Sequence, residues 1–185
     1  MCMVNCPFGA ISDKSQIFQL MRALQEGKEI VAEIAPAFIG QFGDNITPRN
    51  LKAALKELGF SEVYEVALGA DIGAVSEAHQ YVDKVVTGKL PFLLTSCCPS
   101  WAMMAKKFFP DLIDQISQEL TPMVATARTI KKEHPNAHVV FIGPCASKKL
   151  EASRRTVRSD VDFVVTFEEL QAMFDAKEID LTQYE

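Results

Sequence analysis

The sequence predicts an α/β fold, with a parallel or mostly parallel sheet of four to five strands and helices on both faces. Three observations lead there. Helix-period segments alternate with short apolar, β-branched runs along the chain. No internal repeat or low-complexity segment interrupts that alternation. Two of the apolar runs end in cysteine-proline turns, which is where open α/β sheets place ligands, outside the carboxyl ends of their strands.

In chain order, residues 15–26 carry Ile17, Leu20, Met21 and Leu24 at helical spacing, with Gly27 as a stop. Residues 29–35 then form a β-branched run closed by Pro36. Thr47 and Pro48 start the clearest helix, with Leu51, Ala54, Leu55 and Leu58 on one face and Gly59 at the stop position. Further along, 63–68 reads as a strand and 74–86 as a helix. Residues 90–95 read as a buried strand and 101–109 as a helix broken at Pro110, with Trp101, Phe108 and Phe109 in the core. A helix over 122–134, a strand over 139–142, and a last strand and helix over 161–166 and 167–176 complete the series.

At 185 residues with 48% hydrophobic content the chain suits one domain with an ample core. A net charge of −5 and the lack of a strong basic cluster argue against a nucleic acid partner. The densest cationic string, Lys148, Lys149, Arg154, Arg155 and Arg158, reads as a solvated helix face. No apolar stretch approaches the ~20 residues that span a bilayer, and no signal-peptide layout is present, so the expectation is a cytoplasmic chain without a membrane partner. Five cysteines sit in tight motifs rather than a disulfide framework, which fits reduced thiols kept for metal.

The chemistry concentrates in two segments. Thr95-Ser96-Cys97-Cys98-Pro99-Ser100-Trp101 puts two adjacent thiols at the start of a helix; successive side chains diverge, so one sulfur can bind metal while the other handles a proton. Gly143-Pro144-Cys145-Ala146-Ser147-Lys148 repeats the design after the 139–142 run, and a thiolate beside cations at a helix start is a good soft-metal ligand. The pair, with Pro144, Cys145, Lys148 and Glu151 spaced Pro-Cys-x2-Lys-x2-Glu, resembles the first two of three cysteine signatures of the iron-only ([FeFe]) hydrogenases. At the front, Cys2-x3-Cys6-Pro7 resembles the tail of a ferredoxin [4Fe–4S] motif with two of its four cysteines missing.

The resemblance implies two parts: a ferredoxin-like remnant over 1–14, and over 15–185 the first lobe of a two-lobed catalytic domain whose lobes enclose a [4Fe–4S] cubane joined to a diiron unit. It implies that Cys98 and Cys145 are cubane ligands, that Cys2 and Cys6 served an accessory cluster, and that Cys97 passes protons to the diiron unit. Lys148 would hydrogen-bond an iron-bound cyanide, and Ala35-Pro36-Ala37 would line the diiron pocket; on the residues alone, Pro36 equally ends a strand. By offset from Cys97, Glu77 and Ser117 fall on the family's proton route, although each is also an ordinary surface residue, and Gln80 stands where an outer glutamate is expected. Gly143 and Met123 replace an expected methionine and glutamine, departures that bring to mind sensory or regulatory members with low turnover.

The third signature is absent from these residues. The expectation is therefore a fragment that binds no assembled cluster and is inactive alone, from a parent that interconverts protons, electrons and H2 with a ferredoxin or other redox partner. The alternatives are a hydrogen or redox sensor with a signalling domain or partner, and a non-enzymatic iron–sulfur assembly protein. His79, His134 and His138 lack metal spacing and read as surface or packing residues.

Overall fold

The computed structural model describes residues 5–11 and 14–184. Four strands, β1 (Ile30–Ile34), β2 (Glu62–Glu65), β3 (His138–Gly143) and β4 (Phe163–Thr166), form one sheet in the order β2-β1-β3-β4. Every pairing is parallel, with Val31 opposite Glu62, Ala32 opposite Val140 and Ile142 opposite Val165. All of β1 and nearly all of β3 are buried, as a parallel sheet covered on both faces requires. The chain runs from β1 outward to β2, then returns to lay β3 on the other flank of β1. The switch point therefore lies between the carboxyl ends of β1 and β3, where such folds open a crevice.

Helices α1 (Ile17–Gln25), α2 (Pro48–Leu58), α5 (Pro122–Glu133) and α7 (Phe167–Ala176) fall close to the expected segments. α2 starts with a reciprocal cap between Thr47 and Asn50 and ends at Gly59, whose φ of 109° only glycine adopts at little cost. Its buried face holds Leu51, Ala54, Leu55 and Leu58. α5 packs on β1 and β3, and α7 on β3 and β4.

Three expectations fail. Helix α3 (Val66–Tyr81) begins inside the run read as a strand and closes in a π-helical turn over Val82–Val86. Its packing on α5 overrides the β-branched signal: a Cβ on Gly69 would collide with Thr126 Oγ1 and the Pro122 carbonyl. Residues 90–95 form no sheet strand. They make a single parallel bridge, Leu94 to Ile116, closed by Leu94 N–H to Gln115 O at 2.8 Å and Ser117 N–H to Leu94 O at 2.7 Å. Pro91 has no N–H to give, and the segment pairs with the chain leaving the 3-10 turn Pro110–Gln115 instead of with the sheet. Finally, α4 (Pro99–Phe108) buries only Ala105; Phe108 and Phe109 are exposed and Trp101 is half-buried, because α4 touches the rest of the chain mainly through that turn and through α6 (Ser147–Ser153). Among the described residues no helix is long and apolar enough to cross a membrane.

Candidate metal centre

Two loops leave the sheet side by side at the switch point. Ala35 N–H donates to Ile142 O at 2.8 Å, extending the β1–β3 ladder by one bond, so Ala35-Pro36-Ala37 emerges next to Gly143-Pro144-Cys145. Pro36–Phe38 turns at once into a 3-10 helix anchored by buried Phe38, which leaves Pro36 and Ala37 exposed. Beside them Phe141 lays its ring against Gly143: an ideal Cβ there would sit 2.5 Å from the ring and 3.2 Å from the Ala35 Cβ. Space that a larger residue at 143 would use is thus already filled by Phe141, a compensation invisible in the motif itself.

The double cysteine arrives on a loop rather than on a strand tip. Cys98 caps α4, its sulfur accepting the Trp101 N–H at 3.5 Å, with Pro99 in the first turn. Cys97, Cys98 and Cys145 are all free and exposed, and Cys145 Sγ lies 3.0 Å from Ser147 Oγ. Lys148 ties the two cysteine loops together. Its ammonium donates to the Cys97 carbonyl at 3.3 Å and to Glu151 Oε2 at 2.7 Å, with the two side chains 14% and 5% exposed. Lys149 pairs with Glu169 at 2.9 Å and is equally withdrawn from solvent. The expected solvated cationic face is therefore replaced by ion pairs along this part of α6; of the string, Arg155 and Arg158 are exposed. The histidines stay apart: His134 meets Glu29 at 2.8 Å and His138 meets Asp162 at 3.5 Å, both at the amino end of β3.

Glu33, on β1, went unnoticed in the sequence. It is fully buried, and neither carboxyl oxygen has a hydrogen-bond partner among the described residues. Burial pushes its carboxyl well above the usual carboxylate range; the Lys148 charge pulls the other way and the Glu151 charge adds to the rise.

Glu77 and Cys97 line one cavity of about 220 Å³ together with Thr95, Glu119, Leu120 and Pro122. Ser117 is buried and does not line it; its hydroxyl accepts the Glu119 N–H at 3.2 Å. Gln80 donates its amide to Glu119 Oε1. Glu119 was also missed, and its only signal was a place two residues after Ser117. Near the amino terminus the backbone N–H of Phe8, aided by those of Ala10, Ile11 and Gly9, holds the Cys6 thiol below its ordinary value, a setting that suits a thiolate ligand. Cys2 lies outside the described residues.

The donor set fits part of an iron–sulfur group and not all of one. Soft sulfur donors are free at neighbouring loop tips, yet among the described residues no three His, Cys, Asp or Glu side chains gather closely enough to hold a metal ion.

Residues 28–185 match the family model "iron only hydrogenase large subunit, C-terminal domain". Iron hydrogenase 1 of Clostridium pasteurianum is 32% identical over 92% of this chain and 33% of its own length. The cytosolic Fe-S cluster assembly factor NAR1 of Meyerozyma guilliermondii is 26% identical over 85% of this chain and 34% of its own. Among solved structures, apo [FeFe]-hydrogenase HydA1 from Chlamydomonas reinhardtii, variant C377H, superposes with a TM-score of 0.78 at 27% identity, over 93% of this chain and 50% of that one. The chain thus spans about a third of these curated relatives and half of that solved structure. A parallel sheet, a paired-cysteine loop tied to a Pro-Cys loop and these matches together show that the chain belongs to the family of the iron-only hydrogenase large subunit, C-terminal domain.

Proposed function

We propose that this chain contributes one lobe of a hydrogenase-type site that interconverts protons, electrons and H2, with residues 15–185 as that lobe and 1–14 as the end of a ferredoxin-like unit. The observation that carries the reading is the Lys148 bridge, which sets an ammonium between the Cys97-Cys98 loop and the loop of Cys145. Cys98 and Cys145 would hold two corners of a [4Fe–4S] cubane, and Cys2 and Cys6 part of an accessory cluster. A diiron unit, when bound beside the cubane, supplies the formation and cleavage of the H–H bond. Among the described residues Lys148 uses two of its three N–H groups, which leaves one for an anionic ligand such as cyanide. Ala35-Pro36-Ala37 presents a stiff, side-chain-poor wall beside the Gly143-Pro144-Cys145 loop, and Phe141 packs behind it. Cys97 opens onto the Glu77 cavity, so a proton can be held at its sulfur without a ligand role. Electrons would come from a ferredoxin or similar redox partner, and the exposed apolar faces of α3 and α4 would pack against the remainder of such a hydrogenase.

A second reading, a non-enzymatic iron–sulfur assembly protein, draws support from the likeness to NAR1. A third, a hydrogen or redox sensor of low turnover, draws on Gly143, Met123 and Gln80. The test is anaerobic reconstitution of the 185-residue chain with iron and sulfide, with and without a diiron precursor. The hydrogenase reading expects no H2 evolution from the chain alone and bound iron that falls on Cys98→Ser or Cys145→Ser. It further expects cyanide-stretch bands of bound precursor that shift on Lys148→Ala. Bands indifferent to Lys148 favour the assembly reading, and sustained H2 evolution from this chain alone refutes the half-site.

A further inference from the structure

Glu119 sits where two voids meet. The cavity of about 220 Å³ that holds Cys97 and Glu77 backs onto a cleft of about 460 Å³ lined by residues of α4, α5 and α6. Among the described residues only Glu119 and Leu120 line both, so Glu119 is the one ionisable side chain of these in the shared wall. Its position is fixed from three sides: Gln80 donates to its carboxylate, its backbone N–H is held by Ser117 Oγ at 3.2 Å, and its carbonyl accepts from Ser96 Oγ at 3.5 Å. Both voids are larger than the ~30 Å³ share of one water and carry polar walls, so each can seat water that hydrogen-bonds the carboxylate.

We propose that Glu119 carries protons from the α4–α5–α6 cleft to the cavity of Glu77 and Cys97, a carboxylate doing from the loop what Gln80 cannot do from α3. The inference rests on the hydrogenase-type reading of Cys97. An amide such as Gln80 neither binds nor releases a proton near neutral pH, whereas a carboxylate does both. In the step, a proton from cleft water bonds to a Glu119 oxygen. It then leaves that O–H for the Glu77 carboxylate, directly or through one water, and Glu119 returns to its carboxylate form. No electron moves and no heavy-atom bond breaks. Gln80 acts as a positioning residue, holding one oxygen of Glu119 in place. The charged groups that line the two voids with Glu119 are Glu77 from α3, Lys106 from α4, Arg128 from α5, Glu151 from α6 and Arg154 at the end of α6.

The test needs no metal: side-chain carboxyl carbons of the full 185-residue chain are titrated by NMR between pH 3 and 8. If a proton passes between the two carboxyls, Glu119→Gln removes a negative charge from the cavity that Glu77 lines, and the Glu77 carbon's titration curve moves to lower pH. Glu77→Gln moves the Glu119 curve in the same direction. Glu119→Asp keeps the coupling, and the pair Gln80→Glu with Glu119→Gln restores it, which a merely structural loss would not. A Glu77 midpoint indifferent to Glu119→Gln, with a Glu119 midpoint indifferent to Glu77→Gln, overturns the proposal. Should Glu119→Gln fail to fold, the reciprocal Glu77→Gln measurement decides alone. The hydrogenase reading stands or falls separately, on iron retention and the Lys148-dependent cyanide bands.

Discussion

The sheet half and the α3–α4 wing of this molecule are built on opposite principles. Around β1, β3, α5 and α7 the side chains of Leu20, Ile30, Ile130, Ile142, Leu170 and Phe174 have no exposed surface. Out on the wing, Leu68, Ile72 and Val75 of α3 and Met103, Met104 and Phe108 of α4 all face solvent. A helix apolar on most of its circumference is ordinarily covered, so the wing has the composition of an interior and the exposure of a surface. The cysteine pair is carried by the wing and the Pro-Cys loop by the sheet. The free thiols thus sit on the seam between a part that buries its apolar side chains and a part that exposes many of them.

The comparison breaks first on a core substitution. Phe174→Ala removes a fully buried ring and is expected to cost about 3–5 kcal/mol, read by urea unfolding followed in the far ultraviolet. Trp101, the single tryptophan, lies on α4 and reports the wing. Its fluorescence transition is expected at lower urea than the helix signal in the unsubstituted chain, because weakly buried units open before the global transition. Coincident transitions would show that wing and sheet unfold as one.

Next in size is Glu33, a buried carboxyl in the sheet interior that opposes its stability. Its folded carboxyl titrates above its ordinary value of 4.5, so between that value and the folded one the native state keeps a proton that the unfolded chain has released. Stability therefore falls as pH rises through that window, by at most about 1.4 kcal/mol per pH unit. Glu33→Gln abolishes the slope: unfolding free energies of variant and parent should match near pH 4 and diverge in favour of the variant toward pH 7. Parallel pH dependences for the two proteins would mean that Glu33 is ionised and paired in the fold.

What the sequence disclosed divides along the same seam. Strands β1 and β3 and helices α2, α5 and α7 were legible because period, caps and burial agree: Thr47, Pro48 and Gly59 bracket α2, and its apolar face is the face that is buried. Both cysteine motifs and Lys148 stood out through their resemblance to the iron-only hydrogenase signatures, and in the fold the Lys148 ammonium reaches the Cys97 carbonyl. The 90–95 segment misled because an apolar run looks the same whether it joins a sheet or bridges one residue of a loop. Phe108 and Phe109 misled because hydrophobicity gives the need for cover and not its presence. Glu33, Phe141 and Glu119 escaped notice for a third reason: each matters through surroundings assembled only in the fold, burial without a hydrogen-bond partner for Glu33, the Gln80 amide for Glu119, and for Phe141 a glycine whose emptiness is read in three dimensions.

The contact that docks the wing offers a sharper probe. Gly69 is where α3 comes nearest to α5, and Gly69→Ala forces Thr126 and the start of α5 apart at an expected cost of about 1–3 kcal/mol. Amide exchange should quicken along α3 and remain slow in β1 and β3. A uniform loss of protection would assign α3 to the sheet's cooperative unit.

The smallest expected effect is the most discriminating. Phe108 and Phe109 are 65% and 52% exposed, so replacing both with serine removes little buried area and should change stability by no more than about 0.5 kcal/mol. The measurement is the same urea titration, with wing and sheet signals followed separately. A core pair of that size would be worth several times more, so the ratio of this result to that of Phe174→Ala gives the contrast between the regions as a single number. A loss above about 1 kcal/mol would mean that the two rings pack within this chain after all. A null result shows that the two rings contribute little to this chain's own folding, and the double variant then leaves Cys97, Cys98 and the Lys148 bridge as they are.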